Sequence, residues 1–181
     1  MKRRKIILIF GRTGSGKTYF AKRLISGLDR VIVIDKMFEY DDGIVFNNIN
    51  DMIDYILMYK PDKFKFICRF ESDVEIELLF KLCWYLKNLV LVVEESELYI
   101  SPYTKQSEFL RLVRYGRHKS ISIIAIARRV VELSNDLKAN CDKVITFKQI
   151  LTKDLEYLER LGFDKEKVLN LKNYEYCEII Y

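Results

Sequence analysis

Short, almost unbroken apolar runs alternate along this chain with segments whose apolar positions recur every three or four residues. Lys5 to Phe10, Val31 to Ile34, Leu89 to Val93 and Ile121 to Ala127 have the length and β-branched content of strands covered on both faces, the habit of a parallel sheet. Between them, Thr18 to Gly27, Asp73 to about Asn88 and Ser107 to Lys119 are helix-compatible. Ile49, Met52, Ile53, Ile56 and Leu57 also keep helical spacing, with Asn48 or Asn50 as cap and Pro61 as stop. Ile44 to Phe46, Phe64 to Phe70 and Val144 to Phe147 add strands, Leu133 to Asn140 adds a short helix, and Thr152 caps a helix through Leu155, Leu158 and Leu161 that stops near Gly162. Tyr174 to Tyr181 alternates as an edge strand would. Strand and helix in turn predict a three-layer α/β/α domain of class α/β with a mainly parallel sheet. The segment from Asp73 is apolar on several sides, through Val74, Ile76, Leu78, Leu79, Leu82, Trp84 and Leu86, which predicts deep burial or a face shared with a partner.

Composition narrows this only slightly. The 181 residues, half of them hydrophobic and 31% charged, suit one globular domain with a substantial core. Met1 to Lys5 followed by apolar residues has the opening of a signal peptide, but Gly11 interrupts the apolar run too soon, and no run approaches membrane-spanning length. Four scattered cysteines without a C-x-x-C pair or a histidine cluster fit a reduced, cytoplasmic setting without structural zinc. The net charge of +5 permits a nucleic-acid footprint without demanding one.

The chemistry is concentrated where Gly11-Arg12-Thr13-Gly14-Ser15-Gly16-Lys17-Thr18 follows the first apolar run, a G-x-x-x-x-G-K-T phosphate-binding loop. Its glycines let successive amides converge on a β-phosphate, the next helix adds the positive end of its dipole, Lys17 reaches the β- and γ-phosphates, and the Thr18 hydroxyl ligates Mg²⁺. Leu89 to Val93 then delivers Glu94 and Glu95 at a strand's carboxyl end. That is the Walker B arrangement, in which the first acid supports the metal, partly through water, and the second activates the attacking water. Asp35 ends the second strand, where ligands collect in such sheets, and a turn-capping role is equally open to it.

Basic residues gather later. Between Ser107 and Lys119, Phe109, Leu112, Val113 and Gly116 share one side of a helix, while Arg111, Arg114 and His118 share the other and Arg117 flanks them. This is either a solvated face or one that meets phosphate, on DNA or on the γ-phosphate of a neighbouring subunit. His118, the only histidine, carries no catalytic signal. Arg128 and Arg129 close the Ile121 to Ala127 strand and are expected to face the nucleotide.

Three stretches resemble the FtsK/HerA class of P-loop ATPases, and in particular its small viral genome-packaging members. GRTGSGKT is similar to their Walker A; VIVIDKMFEYD to their second-strand block, placing Asp35 and Glu39 on it; and LVVEESE with RLVRYGRHKSISIIAIARRVVELSNDLKANCDKVITFK to their Walker B, arginine-bearing helix and sensor strand. Two positions depart from the family: Glu94 stands where an aspartate is usual, and Arg128-Arg129-Val130 replaces Gln-Arg-Pro. Glutamate's extra methylene places the Glu94 carboxylate differently, so slow hydrolysis is expected, and Arg128 cannot accept a hydrogen bond from water as a sensor glutamine would, although it can contact a γ-phosphate. The resemblance implies an ATP- and Mg²⁺-dependent DNA translocase working as a homo-oligomeric ring such as a hexamer, with Arg111, Arg114 or Arg117 completing the neighbour's site and a capsid or other assembly partner. Two other readings stay open: a nucleotide-gated assembly factor similar to zonula-occludens-toxin-like proteins, and a small-molecule or nucleotide kinase. Substrate selectivity is expected from loops such as Tyr99 to Gln106.

Overall fold

The computed structural model describes residues 4–104 and 106–181. One eight-stranded sheet runs through it, built from β1 (Ile6–Phe10), β2 (Arg30–Ile34), β3 (Ile44–Phe46), β4 (Phe64–Cys68), β5 (Leu89–Val93), β6 (Ile121–Ala127), β7 (Lys143–Thr146) and β8 (Cys177–Ile180). Their spatial order is β3-β4-β2-β5-β6-β1-β7-β8, parallel throughout except for the last pair. The helices are α1 (Lys17–Ile25), α2 (Ile49–Tyr59), α3 (Asp73–Leu86), α4 (Glu108–Tyr115), α5 (Asn135–Ala139), α6 (Thr152–Arg160) and α7 (Lys165–Asn170).

Alternate residues of the central strands point to opposite faces, dividing the core into two unequal halves. Ile6, Leu8, Phe10, Ile32, Ile34, Leu91, Val93, Ile123 and Ala125 pack with residues of α2 to α7. Ile9, Val31, Val33, Val92, Ile124 and Ile126 pack with α1, through Ala21 and Ile25, and with Tyr40. The asymmetry follows from handedness. The connections β1 to β2 and β2 to β3 travel along the sheet toward its β3 edge, whereas the next four parallel connections travel toward the β8 edge. Right-handed crossovers running in opposite directions must lie on opposite faces. So α1 and the loop carrying Tyr40 have one face, and α2 to α5 have the other.

Registers decide what meets at the functional edge. Phe10 pairs with Ala127 and Thr146, Ala125 with Val93, and Val93 with Ile34. The residues following β1, β2, β5 and β6 therefore emerge side by side. The antiparallel β8 must enter from that same edge, and Cys177 starts opposite Thr146 at the top of β7.

Several elements differ in detail from the sequence expectation. Asn48 is the cap of α2, accepting the Asp51 amide. Thr152 does not cap α6: it is the first helical residue, and Leu151 occupies the capping position without a side-chain bond. The basic helix is α-helical only to Tyr115 and tightens into a 3₁₀ turn over Gly116–Lys119, where Gly116 packs against Ile121. A short seventh helix, capped by Asp164, was missing from the pattern because Val168 and Leu169 are its only apolar residues, too few to show a helical period. Helix α3 buries Ile76, Leu79, Phe80 and Cys83 but leaves Val74, Leu78 and Tyr85 exposed, so it is half-buried and not enclosed.

Phe80 stacks on Phe109 at 4.8 Å and ties α3 to α4 beneath the acidic end of β5. Both rings are wholly buried. Phe80→Ala is expected to lower the unfolding free energy by about 3–5 kcal/mol in urea titrations, whereas Leu57→Ala on the exposed side of α2 is expected to change it by less than about 0.5 kcal/mol.

Candidate functional site

At the carboxyl edge of the sheet, a cavity of about 260 Å³ is lined by Thr13, Gly14, Gly16, Lys17, Thr18, Tyr19, Met37, Glu39, Glu94, Glu95, Arg128 and Tyr174, among others. The glycine-rich loop forms its floor. Gly11 begins the loop with no room for a side chain, because a Cβ there would lie 2.6 Å from that of Phe147. Gly14 and Gly16 adopt left-handed φ values of 74° and 105°, which turn the chain into α1 without steric cost. The Lys17 ammonium bonds the Arg12 carbonyl at 3.0 Å, and burial lowers its pKa against the pull of Glu94, Glu97 and Glu39. Arg12 itself is exposed, and Ser15 is buried beneath the loop.

Facing the loop stand the acids that end β5. Glu94 accepts a 2.7 Å hydrogen bond from the Tyr40 hydroxyl. Its burial pushes the carboxyl up to about 7, with Glu39 adding to the rise and the bond from Tyr40 opposing it. Glu95 is held at a left-handed φ of 47°, a costly conformation for a side-chain-bearing residue and one that lifts its carboxylate off the strand axis into the cavity. Arg128 lies between the Glu95 carboxylate at 4.0 Å and the Glu97 carboxylate at 3.5 Å.

Asp35 requires a correction. It is wholly buried and does not line the cavity; its carboxylate accepts the amides of Glu39 and Tyr40 and pairs with Arg69. Of the two roles open to it, the turn-holding one is what its contacts describe. The turn it holds brings Glu39 to the Thr18 hydroxyl, which donates to it at 2.7 Å, and Tyr40 to Glu94. Arg129 is a second correction: it turns away from the cavity to pair with the fully buried Asp154 and with Glu132. A guanidinium at the next position along a strand end points to the opposite face, and there the α6 carboxylate captures it.

The three arginines of the basic helix lie off the cavity. Arg111 stacks on Trp84 and pairs with Glu108, while Arg114 forms a two-pronged pair with Asp136. Arg117 is exposed, and its guanidinium forms no hydrogen bond or ion pair among the described residues. His118 is also exposed, in the same 3₁₀ turn.

Sequence reasoning missed four contributors. Tyr40 and Glu97 stand within motifs that had been quoted, at positions where a partner becomes visible only in three dimensions. Tyr19 and Tyr174 carry no motif, and Tyr174 reaches the loop only because β8 enters from this edge. The donor set suits a hard cation. The Thr18 hydroxyl spends its proton on Glu39 and keeps its lone pairs, and Glu39 and Glu94 add carboxylate oxygens of the kind Mg²⁺ prefers.

Residues 4–176 match the family described as Helicase HerA, central domain. The chain belongs to that family. Solved structures show the same fold as this HerA-family chain. The genome packaging NTPase B204 from Sulfolobus turreted icosahedral virus 2, in complex with AMPPCP, superposes with a TM-score of 0.80 at 20% identity, over 99% of this chain and 94% of the other. VirB4 of Thermoanaerobacter pseudethanolicus gives 0.66 at 13% identity over 96% and 86%. The N-terminal domain of zonular occludens toxin from Neisseria meningitidis gives 0.58 at 13% over 99% and 94%. No curated protein matches the sequence significantly. Among the described residues, no helix of this HerA-family chain is long and apolar enough to cross a membrane.

The Glu94 carboxyl sets a pH dependence. Its folded value near 7 exceeds the ordinary 4.5, so stability falls as pH rises between those values and the full penalty is carried above them. Glu94→Gln removes the charge. In metal-free urea titrations the variant is expected to be more stable than wild type by on the order of 3 kcal/mol above pH 7, with the difference vanishing below about pH 4.5.

Proposed function

We propose that this P-loop NTPase is an ATP-hydrolysing DNA translocase subunit acting in a homo-oligomeric ring. The observation that carries the reading is the meeting of Lys17, Thr18, Glu94 and Glu95 around one cavity, delivered by strands whose registers leave them no other place to emerge. Loop amides and Lys17 bind the β- and γ-phosphates, and the half-buried position of Lys17 strengthens its charge interactions. Thr18, Glu94 and Glu39 hold Mg²⁺, which neutralises phosphate charge when bound. Glu95, raised off the strand axis, orients the attacking water and takes its proton. Arg128, at the γ-phosphate end of the cavity, leaves its carboxylate partners for the phosphate. The likeness in fold to a genome packaging NTPase supports nucleic acid as the second ligand, and the family supports a motor over a metabolic enzyme. A capsid-like assembly partner and a cytoplasmic setting belong to the same proposal.

One observation favours a slower machine. The Arg128 guanidinium sits 4.0 Å from the very carboxylate that would act as base, and that contact must open before Glu95 can take hold of a water. The second reading is therefore a nucleotide-gated assembly factor with little turnover. Steady-state ATP hydrolysis with and without double-stranded DNA separates the two. A translocase shows turnover that DNA raises and Glu95→Gln lowers by at least about a hundredfold with binding intact. DNA-independent turnover, or binding without turnover, favours the gated factor.

Of the three arginines proposed to complete a neighbour's site, Arg117 is the best placed, since Arg111 and Arg114 are committed within their own subunit. Arg117→Ala is expected to reduce turnover of the assembled ring by about 10²-fold or more while leaving ATP affinity unchanged, and mixing it with a Lys17→Ala subunit should restore part of the activity. Equal loss in a dilute monomer would contradict a role across the interface.

A further inference from the structure

The cavity has two ends. Glu94, Glu95 and Arg128 mark the end where a γ-phosphate would lie, and the glycine-rich loop holds the β-phosphate at its middle. A nucleoside attached to that chain of phosphates must leave at the opposite end, beyond Thr18. Two tyrosines line the same cavity, Tyr19 directly after Thr18 in the chain and Tyr174 against Gly16, and the function proposed above gives neither of them work.

Tyr174 lies in the segment between α7 and β8. Its amide donates to the Ser15 carbonyl at 2.9 Å, fastening that segment to the phosphate loop itself. Its backbone is left-handed, with φ at 68°, a strained setting for an aromatic residue. Its ring lies against Gly16, so close that a Cβ there would be 2.7 Å from the ring's Cδ1. Tyr19, in the first turn of α1, meets this ring edge-on with centroids 5.8 Å apart. Both side chains line the cavity, yet Tyr174 is 64% and Tyr19 57% exposed. The neighbouring Tyr176 is better covered, because its ring packs on Phe20 and Phe147. Strain that holds a large apolar ring in the open, over the exit of a phosphate site, gains the fold little by way of burial.

We infer that Tyr174, backed edge-on by Tyr19, is the platform on which the base of a bound nucleoside triphosphate stacks. The inference rests on the nucleotide reading of the cavity and adds the subsite that holds the base. A ring face offers stacking without reading the base's edge, so the site takes purines by area of contact. It also gives the loop at Gly16 and the segment leading to β8 a shared interest in the ligand, since the same residue touches both.

The test is calorimetric titration of Mg·ATP and of Mg·tripolyphosphate into wild type, Tyr174→Ala, Tyr174→Leu and Tyr174→Phe. Tripolyphosphate carries the phosphates without the base. The platform predicts that Ala and Leu each weaken ATP by about tenfold, leave tripolyphosphate within about twofold, and that Phe keeps both affinities. Leu preserves apolar packing on Gly16, so it separates stacking from support of the loop. Parallel loss of both ligands in Ala and Leu, or unchanged ATP affinity in both, overturns the base platform while leaving the nucleotide reading intact. Wild-type protein that takes neither ligand overturns the nucleotide reading itself.

Discussion

Right-handed crossovers force α1 onto a face that no other helix shares, and most of what is distinctive about the cavity follows from that constraint. A nine-residue helix cannot cover the whole face, so two irregular segments fold over the remainder. One is the loop after β2, which buries Tyr40 against the sheet and passes Glu39 over the start of α1. The other is the segment entering β8, which packs Tyr176 on Phe20 and sets Tyr174 on Gly16. On the crowded opposite face, six helices leave no such opening above the phosphate loop.

The first of these segments is held by a single buried charge. Asp35 has no exposed surface, and an unpaired carboxylate in such a place would cost several kcal/mol. It is satisfied by the amides of Glu39 and Tyr40 and by the Arg69 guanidinium, which also donates to the Tyr40 carbonyl and lies over the Phe38 ring. Phe38 carries a left-handed φ of 57° in the same turn. The turn's shape is thus dictated from beneath by electrostatics, and the side chains it presents upward meet Thr18 and Glu94 at hydrogen-bonding distance. Position in the sheet made Asp35 look like a ligand-binding residue; its contribution to the site is made through its two neighbours.

What could be read in the sequence was whatever repeats with a fixed period or sits at a fixed spacing. The strands β1, β2, β5 and β6 are almost unbroken apolar runs, and the loop from Gly11 to Thr18 is a contiguous motif, so the fold class and the floor of the cavity were legible. Contacts between residues far apart in the chain were not. Nothing local distinguishes Arg128 from Arg129; their fates are set by Glu97 on one side of the sheet and Asp154 on the other. Tyr40 and Glu94 are 54 positions apart, and their hydrogen bond depends on the direction of a crossover. Tyr174 depends on the one antiparallel strand, whose alternating pattern gave its existence but neither its direction nor its neighbour.

The charges around the cavity explain why the pieces are arranged as they are. Glu39, Glu94, Glu95 and Glu97 surround Lys17 and Arg128, so carboxylates outnumber cations where a polyanion is proposed to bind. The molecule relieves this surplus internally: the Glu94 carboxyl is pushed up to about 7, the Thr18 proton is lent to Glu39, and Arg128 rests between two glutamates. A bare triphosphate arriving at such a site would meet repulsion that two cations only partly offset. A triphosphate arriving with Mg²⁺ reverses the balance, because the same carboxylates then face net positive charge at the metal. Under the proposed nucleotide reading, the acid surplus favours the metal-bound form, and Tyr19 and Tyr174 are left to meet the rest of the ligand by contact.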